Sequence, residues 1–443
     1  MFEPFVNEPY SDFTVEGNAA AYRAAIEKVR GELGRHYPLV VGGKDVDPGD
    51  RIESLNPANP SEVVGTVASA TPEIAEDAID AAWDAFPQWS SISAEARART
   101  IQRLVAILRR RKYEFSAWQT FEASKNYLEA EADVAEAIDF CDFYARQAIK
   151  MAEPLPVTPW PGEDNESHLI PLGVGVVIPP WNFPLAILAG MTIGPVAAGN
   201  TVVLKPASTT PVIGAQFMEA VEEAGFPPGV INFLPGPGSR VGDTLVDHPR
   251  TRFINFTGSK EVGLRIAERS AKVNPGQLWL KRAYMEMGGK DAHVVDETAD
   301  LDAAARAAVA GAFGFQGQKC SACSRLIVVD EVYDEVLEKV VAYASDLSMG
   351  PAVDNSQVTA VISAAQHRTI LEEIEKGKEE AKLVLGGSAV EMNGGYFIEP
   401  TVFADVAPDS RLAQFEIFGP VLSVVRADDF EHAIEIANGT EYG

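Results

Sequence analysis

From Gly173 onward the chain alternates short apolar runs with helix-patterned stretches, and this rhythm restricts the fold more than any other feature. Residues 173–178, 201–204, 230–234 and 252–256 read as strands, and the segments near Leu185, Ile213, Val241 and Val262 read as helices. Short continuous runs of Val, Ile and Leu belong to strands covered on both faces. A strand–helix–strand repeat places crossover helices over a parallel sheet. A second series follows Glu286, with strands at 292–295 and 326–329 and helices at 303–313, 332–347 and 359–376. The expectation is an α/β chain of two doubly wound parallel-sheet domains whose boundary falls close to Glu286.

The region before residue 173 reads differently. An apolar-periodic stretch from Tyr22 to Leu33 forms a helix in an N-terminal arm, residues 1–36. Thr71 followed by Pro72 is a helix start, Ser93 is another, and helical patterning runs on to about Lys150. Pro154, Pro156, Pro159 and Pro161 then interrupt it, with a polar turn at Gly162-Glu163-Asp164-Asn165. Residues 151–167 are therefore expected to form a projecting β-hairpin. The segments 37–150 and 168–286 form the first domain, and 287–443 the second.

A chain of 443 residues exceeds one ordinary core. Its net charge of −27 argues against a nucleic-acid partner, because neutralising phosphates needs a basic surface. No apolar run is long enough to span a membrane, and the N-terminus lacks a signal peptide's basic and apolar regions. Three cysteines, Cys141, Cys320 and Cys323, are too few for a disulfide framework and fit a reducing cytoplasm. No His or Cys cluster has metal-ligand spacing, so no metal is expected.

Chemistry concentrates in a few runs. Cys320 follows Gly317-Gln318-Lys319, an irregular, partly open setting in which a thiolate can form, although buried small hydrophobe is the commoner fate of a free cysteine. Glu286, between Met285 and Met287 and before Gly288-Gly289, is either a general base or a solvated strand-end carboxylate. A thiol nucleophile with a separate carboxylate is what oxidation of an aldehyde through a thioester requires. Asn182 ends a strand, where open α/β sheets bind ligands; it donates to an oxyanion, caps the following helix, or does both. Lys205 ends another strand and can reach ribose hydroxyls. Phe256-Thr257-Gly258-Ser259 opens a helix whose N-terminus offers donors to a pyrophosphate. Glu416 and Phe418 suit a ribose and a flat ring. The glycine spacing is not that of a dinucleotide fingerprint.

Six ordered runs together resemble the aldehyde dehydrogenase superfamily: Pro180-Trp181-Asn182-Phe183-Pro184, Lys205-Pro206, Phe256-Thr257-Gly258-Ser259, Glu286-x-Gly288-Gly289-Lys290, Gly317-Gln318-x-Cys320 and Glu416-Ile417-Phe418-Gly419-Pro420. Within it, the run from Gly314 to Ala322, Lys290-Asp291-Ala292 and the N-terminal extension resemble the 1-pyrroline-5-carboxylate (L-glutamate γ-semialdehyde) dehydrogenases of proline and arginine catabolism. The resemblance implies an NAD(P)-binding domain, an oligomerisation hairpin and a catalytic domain in the segments above. It also implies roles: Cys320 as nucleophile, Asn182 as oxyanion donor and Glu286 as water-activating base. Ile178, Pro179, Pro180, Trp181, Lys205, Ser208, Phe256, Gly258, Ser259, Glu416 and Phe418 bind NAD, and Ser321 and Phe183 meet the substrate. A homo-oligomer is implied, with a separate proline dehydrogenase as a possible partner.

Two departures stand out. Ser208 occupies a position where many NAD-preferring members carry a glutamate that repels a 2′-phosphate, so NADP is expected to be tolerated. The chain also stops where members of the superfamily continue, and the end of the catalytic domain is expected to be missing. Other readings are a different semialdehyde dehydrogenase, hydrolytic or transferring its acyl group to coenzyme A, and a cofactor-binding but inactive truncated form.

Overall fold

The computed structural model describes residues 4–442, so the ends of the expected arm and catalytic segment, at residues 1–3 and 443, lie outside it. The chain divides into two compact units. One contains the residues up to Leu55, Val63–Glu122 and Ala130–Glu286; the other contains Asn56–Glu62, Ala123–Glu129 and the chain from Met287.

The first unit is built on a seven-stranded sheet in the order Arg282–Glu286, Phe253–Thr257, Val174–Ile178, Thr201–Leu204, Ile231–Phe233, Leu39–Val41, Lys44–Val46. The first five run parallel; four of them match the apolar runs of the sequence, whereas Arg282–Glu286 alternates exposed and half-buried residues. The last two add an antiparallel edge that the sequence reading does not contain. Helices cover the sheet. Ala75, Ala78, Ile79 and Ala82 of Pro72–Ser91 pack with Val174, Val176, Val203 and Ile254 in one core. Gly175 is enforced by this packing, since a Cβ there would lie 2.0 Å from the Phe253 ring.

The second unit holds a five-stranded sheet ordered Ala292–Val295, Arg325–Val329, Val421–Ala427, Thr401–Ala404, Lys382–Leu385, with an antiparallel last strand. Leu301–Phe313 and Tyr333–Ser345 pack on one core, and Ala364–Glu380 and Phe430–Asn438 contribute to another. Arg325 is almost fully buried and donates to the carbonyls of Lys290, Ile436 and Ala437, tying the first strand's entry to the end of the last helix.

The expected arm helix is present as Glu16–Arg30 and is anchored by Tyr22, whose hydroxyl meets Thr120 Oγ1 at 2.9 Å. The segment expected as a hairpin is exposed and carries one antiparallel bridge, Leu155 to Ser167, rather than two paired strands. Its prolines remove ladder donors, and an isolated two-stranded ribbon is marginal in water. Among the strands that went unread are Arg51–Asn56 and Asn59–Ala68. In the first, polar Ser54 and Asn56 point inward and Leu55 outward, so apolar periodicity gives no signal.

Candidate active site

The first unit carries the residues expected on the cofactor side, apart from Glu416 and Phe418, at the carboxyl ends of its strands, where open parallel sheets bind ligands. Val174–Ile178 delivers the chain into Pro179, Pro180 and Trp181, then Asn182, which is 4% exposed, and the half-buried Phe183. The helix Ala186–Ala197 follows, with Leu185 rather than Asn182 as its N-cap residue. That helix has no side-chain cap at its N-cap residue Leu185, and the Ala186 N–H donates instead to the buried Asp133 Oδ1 at 2.6 Å. Asp133 thereby sets the register of the helix that begins just after Asn182. The sequence reading did not single it out.

Lys205 prolongs the next strand, its N–H donating to Val177 O at 2.8 Å. Its ammonium is buried, and among the described residues its hydrogen bond is a long one, 3.4 Å to Pro206 O. Burial pulls its pKa down to about 8. A buried cation so weakly satisfied calls for an acceptor, which fits the hydroxyls of a ribose. Ser208 lies half-buried in the following turn. The helix after it, Pro211–Ala224, has no cap from its own N-cap residue Thr210. Glu122 supplies one from a distant helix: its carboxylate accepts from Val212 N and Ile213 N at 2.8 Å each and from Ser54 Oγ at 2.7 Å. Complete burial pushes its pKa up to about 7. Glu122 also escaped the sequence reading, because its partners lie about ninety positions away.

Phe253–Thr257 ends at Gly258, where a Cβ would fall 2.6 Å from the Phe256 ring. The backbone there is bare to whatever approaches it. The Gly258 N–H donates to Glu286 O at 3.1 Å, so the two strand ends are stitched together. Ser259 is the N-cap residue of Lys260–Ala271 but makes no side-chain capping bond. Glu286 itself stands exposed at the end of Arg282–Glu286, a solvated carboxylate despite its two methionine neighbours.

The second unit carries the thiol. Leu301–Phe313 runs into Phe315, Gln316 and Gly317, three successive residues with φ of 47°, 54° and 64°. Left-handed backbone is costly for Phe and Gln and persists only where surroundings hold it. Gly317 has no alternative, since a Cβ would meet Gly419 O at 2.3 Å and Ala312 O at 2.8 Å. The next residue, Gln318, is fully buried and accepts from Ile362 N at 2.9 Å. Cys320 emerges from this loop partly exposed, whereas Cys141 and Cys323 are buried. Burial pushes the Cys323 thiol up to about 12, which leaves it inert. Ser321 is exposed beside the nucleophile.

Gly288 and Gly289 pass between this loop and the Glu416 carboxylate. A Cβ on Gly289 would lie 2.4 Å from the Cys320 carbonyl oxygen, and one on Gly288 would lie 1.9 Å from Glu416 Oε2. The Gly289 N–H donates to Glu416 Oε1 at 3.0 Å. Burial raises the Glu416 pKa, while that hydrogen bond and Lys290 pull it back. Lys290 is itself buried, and burial together with Arg325 lowers its pKa to about 7. Phe418 sits half-buried at φ 55°, and Gln366 Nε2 holds the loop by donating to Ile417 O and Phe418 O at 3.3 and 3.2 Å. Three runs far apart in sequence, around Gly288, Cys320 and Glu416, are thus locked together by backbone contact.

The aldehyde dehydrogenase family model matches residues 45–443, and the chain belongs to that family. It is 57% identical over 444 residues to the 1-pyrroline-5-carboxylate dehydrogenase of Geobacillus kaustophilus, covering 100% of this chain and 86% of that one. The Thermus 1-pyrroline-5-carboxylate dehydrogenase solved with bound NAD is 56% identical with a TM-score of 0.99, again covering 100% and 86%. Proline utilization A of Bdellovibrio bacteriovorus is 43% identical with a TM-score of 0.97, over 99% of this chain and 46% of that one.

The glycine pair yields a split prediction. Gly289→Ala pushes on the Cys320 backbone and is expected to lower kcat by about a hundredfold with little change in the KM for NAD, the scale of a 1 Å misplacement. Gly288→Ala displaces Glu416 and is expected to raise the KM for NAD instead. Steady-state kinetics of the two variants checks this, and identical profiles would contradict it.

Proposed function

We propose that this chain oxidises L-glutamate γ-semialdehyde, the open form of 1-pyrroline-5-carboxylate, to L-glutamate with NAD+. The observation that carries the reading is the near-complete likeness to the Geobacillus and Thermus enzymes, joined to a loop that exposes one thiol of three.

The residues take roles as follows. The Cys320 thiolate attacks the aldehyde carbon, forming a C–S bond. The carbonyl oxygen becomes an oxyanion that accepts from the Asn182 amide and the Cys320 backbone N–H. Collapse of this adduct expels hydride, which NAD+ accepts, and leaves a thioester on Cys320. Glu286, exposed and able to reach solvent, takes a proton from water as that water attacks the thioester carbon. The C–S bond breaks, and glutamate and the thiolate are released. A base that activates water shortens the thioester's life, so hydrolysis prevails over transfer to coenzyme A.

On the cofactor side, the Ile178 to Trp181 run, Lys205, Ser208, Phe256, Gly258 and Ser259 hold the dinucleotide. Lys205 donates to a ribose, Glu416 accepts from the nicotinamide ribose, and Phe418 positions the ring. Ser321 and Phe183 face the substrate. We infer a cytoplasmic setting, for which the low count of three cysteines speaks, and note that among the described residues no helix is long and apolar enough to cross a membrane. A homo-oligomer is proposed on the exposed Trp160, Leu169 and Ile170 of the projecting segment. A separate proline dehydrogenase is the fitting source of substrate.

A comparison of glutamate semialdehyde with propanal, succinic semialdehyde and glutarate semialdehyde tests the substrate. The expected preference in kcat/KM is about a hundredfold, roughly 2.7 kcal/mol of discrimination. Similar rates on all four would overturn the substrate assignment. Ser208→Glu is expected to abolish NADP-dependent turnover while NAD-dependent turnover is kept; unchanged NADP activity would contradict the role of Ser208.

A further inference from the structure

Residues 123–129 belong to the second unit although the chain on either side of them belongs to the first. Their composition is odd for such an excursion. Ser124 is left-handed at φ 56°, and Ser124 and Lys125 are fully buried. The segment is bound along its length to the turn at 353–360. Tyr127 donates from its N–H to Asn355 Oδ1 and from its hydroxyl to Val353 O, each at 3.0 Å, and the Ala360 N–H donates to Ser124 Oγ at 3.3 Å.

Two side chains reach from this anchored segment to the loop that bears the thiol. The Lys125 ammonium stands 4.6 Å over the ring of Phe315, the first of the three left-handed residues. Glu129 meets Lys319, the residue immediately before Cys320, with Oε2 to Nζ at 2.8 Å and Oε1 to Nζ at 3.0 Å. Both partners of that pair are largely enclosed, at 17% and 22% side-chain exposure. Shielding makes such a pair firmer than an exposed one. Glu129 also crowds the start of the loop, its Oε1 lying 2.9 Å from where a Cβ on Gly314 would be.

We propose that residues 123–129 are a strut for the nucleophile loop, with Glu129 as a positioning residue for Cys320 acting through Lys319, and Lys125 clamping Phe315. The physical need is plain. Three left-handed residues in a row relax unless something holds both ends, and the strut grips the loop at residues 315 and 319. Glu129 fixes the Lys319 ammonium, and with it the backbone that carries the thiol. The segment touches neither substrate nor cofactor in this account, and its role rests on the reading of Cys320 as nucleophile.

The test compares the full chain with its Glu129→Gln, Glu129→Asp, Lys125→Met and Cys320→Ala variants. Two readouts are taken: turnover of glutamate semialdehyde with NAD+, and the rate of Cys320 alkylation by iodoacetamide, followed on the Cys320 peptide. Glu129→Gln is expected to lower kcat and the alkylation rate by about tenfold or more, with NAD affinity within about twofold of the parent, a misplacement-sized loss. Glu129→Asp recovers a substantial part of both, because the charge pair can re-form. If Glu129→Gln does not fold, Lys125→Met carries the same expectation. Alkylation and kcat both within about twofold in the folded variants, or no recovery with aspartate, overturn the strut. Turnover retained by Cys320→Ala overturns the nucleophile reading instead, and the alkylation rates then still decide the strut.

Discussion

The second unit depends on two glycines that have no room for a methyl group. Gly288 lies against the Glu416 carboxylate and Gly289 against the Cys320 carbonyl. With side chains at these positions, neither the thiol loop nor the Glu416 carboxylate could occupy its place. The contact converts a sequence motif into a mechanical one. Moving either glycine moves the nucleophile or Glu416, which is the acid assigned to the cofactor, and the Gly289 N–H fixes that acid's orientation. Hydrogen bonding by backbone, rather than by a flexible side chain, keeps these groups in register through a catalytic cycle.

Around that contact the chain tolerates considerable local cost. Phe315, Gln316 and Phe418 are left-handed, Lys290 is buried, and Gln316 Oε1 is buried with no hydrogen-bond partner among the described residues. Strain and burial of this kind gather at functional loops. The compensation comes from the rigid parts nearby. Arg325 anchors the Lys290 turn through backbone carbonyls, Gln318 reaches Ile362, and Gln366 holds the Phe418 loop. On the cofactor side the same logic appears in Glu122 and Asp133, buried carboxylates that cap helices whose own N-cap residues lack a capping side chain.

The parallel strands at 174–178, 201–204, 231–233, 253–257, 292–295 and 325–329 and the reactive runs were legible in the sequence because each has a local cause. Buried strands read as unbroken Val and Ile, and Gly258, Gly288, Gly289 and Gly317 mark places where a Cβ is forbidden. The supporting residues were not legible. Glu122, Asp133, Glu129 and Gln366 sit in ordinary helical or loop patterns, and their partners lie tens to nearly two hundred positions away. Arg51–Asn56 was missed because it turns its polar residues inward. The antiparallel edges were missed because no local pattern distinguishes a covered edge strand from a central one. The sequence left Asn182 open between capping and oxyanion donation, because the residue that bonds the Ala186 N–H, Asp133, lies 53 positions away.

The account stands or falls on a covalent intermediate at Cys320. The direct measurement mixes the Glu286→Gln protein with NAD+ and glutamate semialdehyde, quenches within the first turnover, and maps the adduct by peptide mass spectrometry. The predicted result is a burst of NADH close to one per active site, followed by stalled turnover and a glutamyl thioester on the Cys320 peptide. NADH formed steadily with no adduct, or an adduct on another residue, would contradict the mechanism.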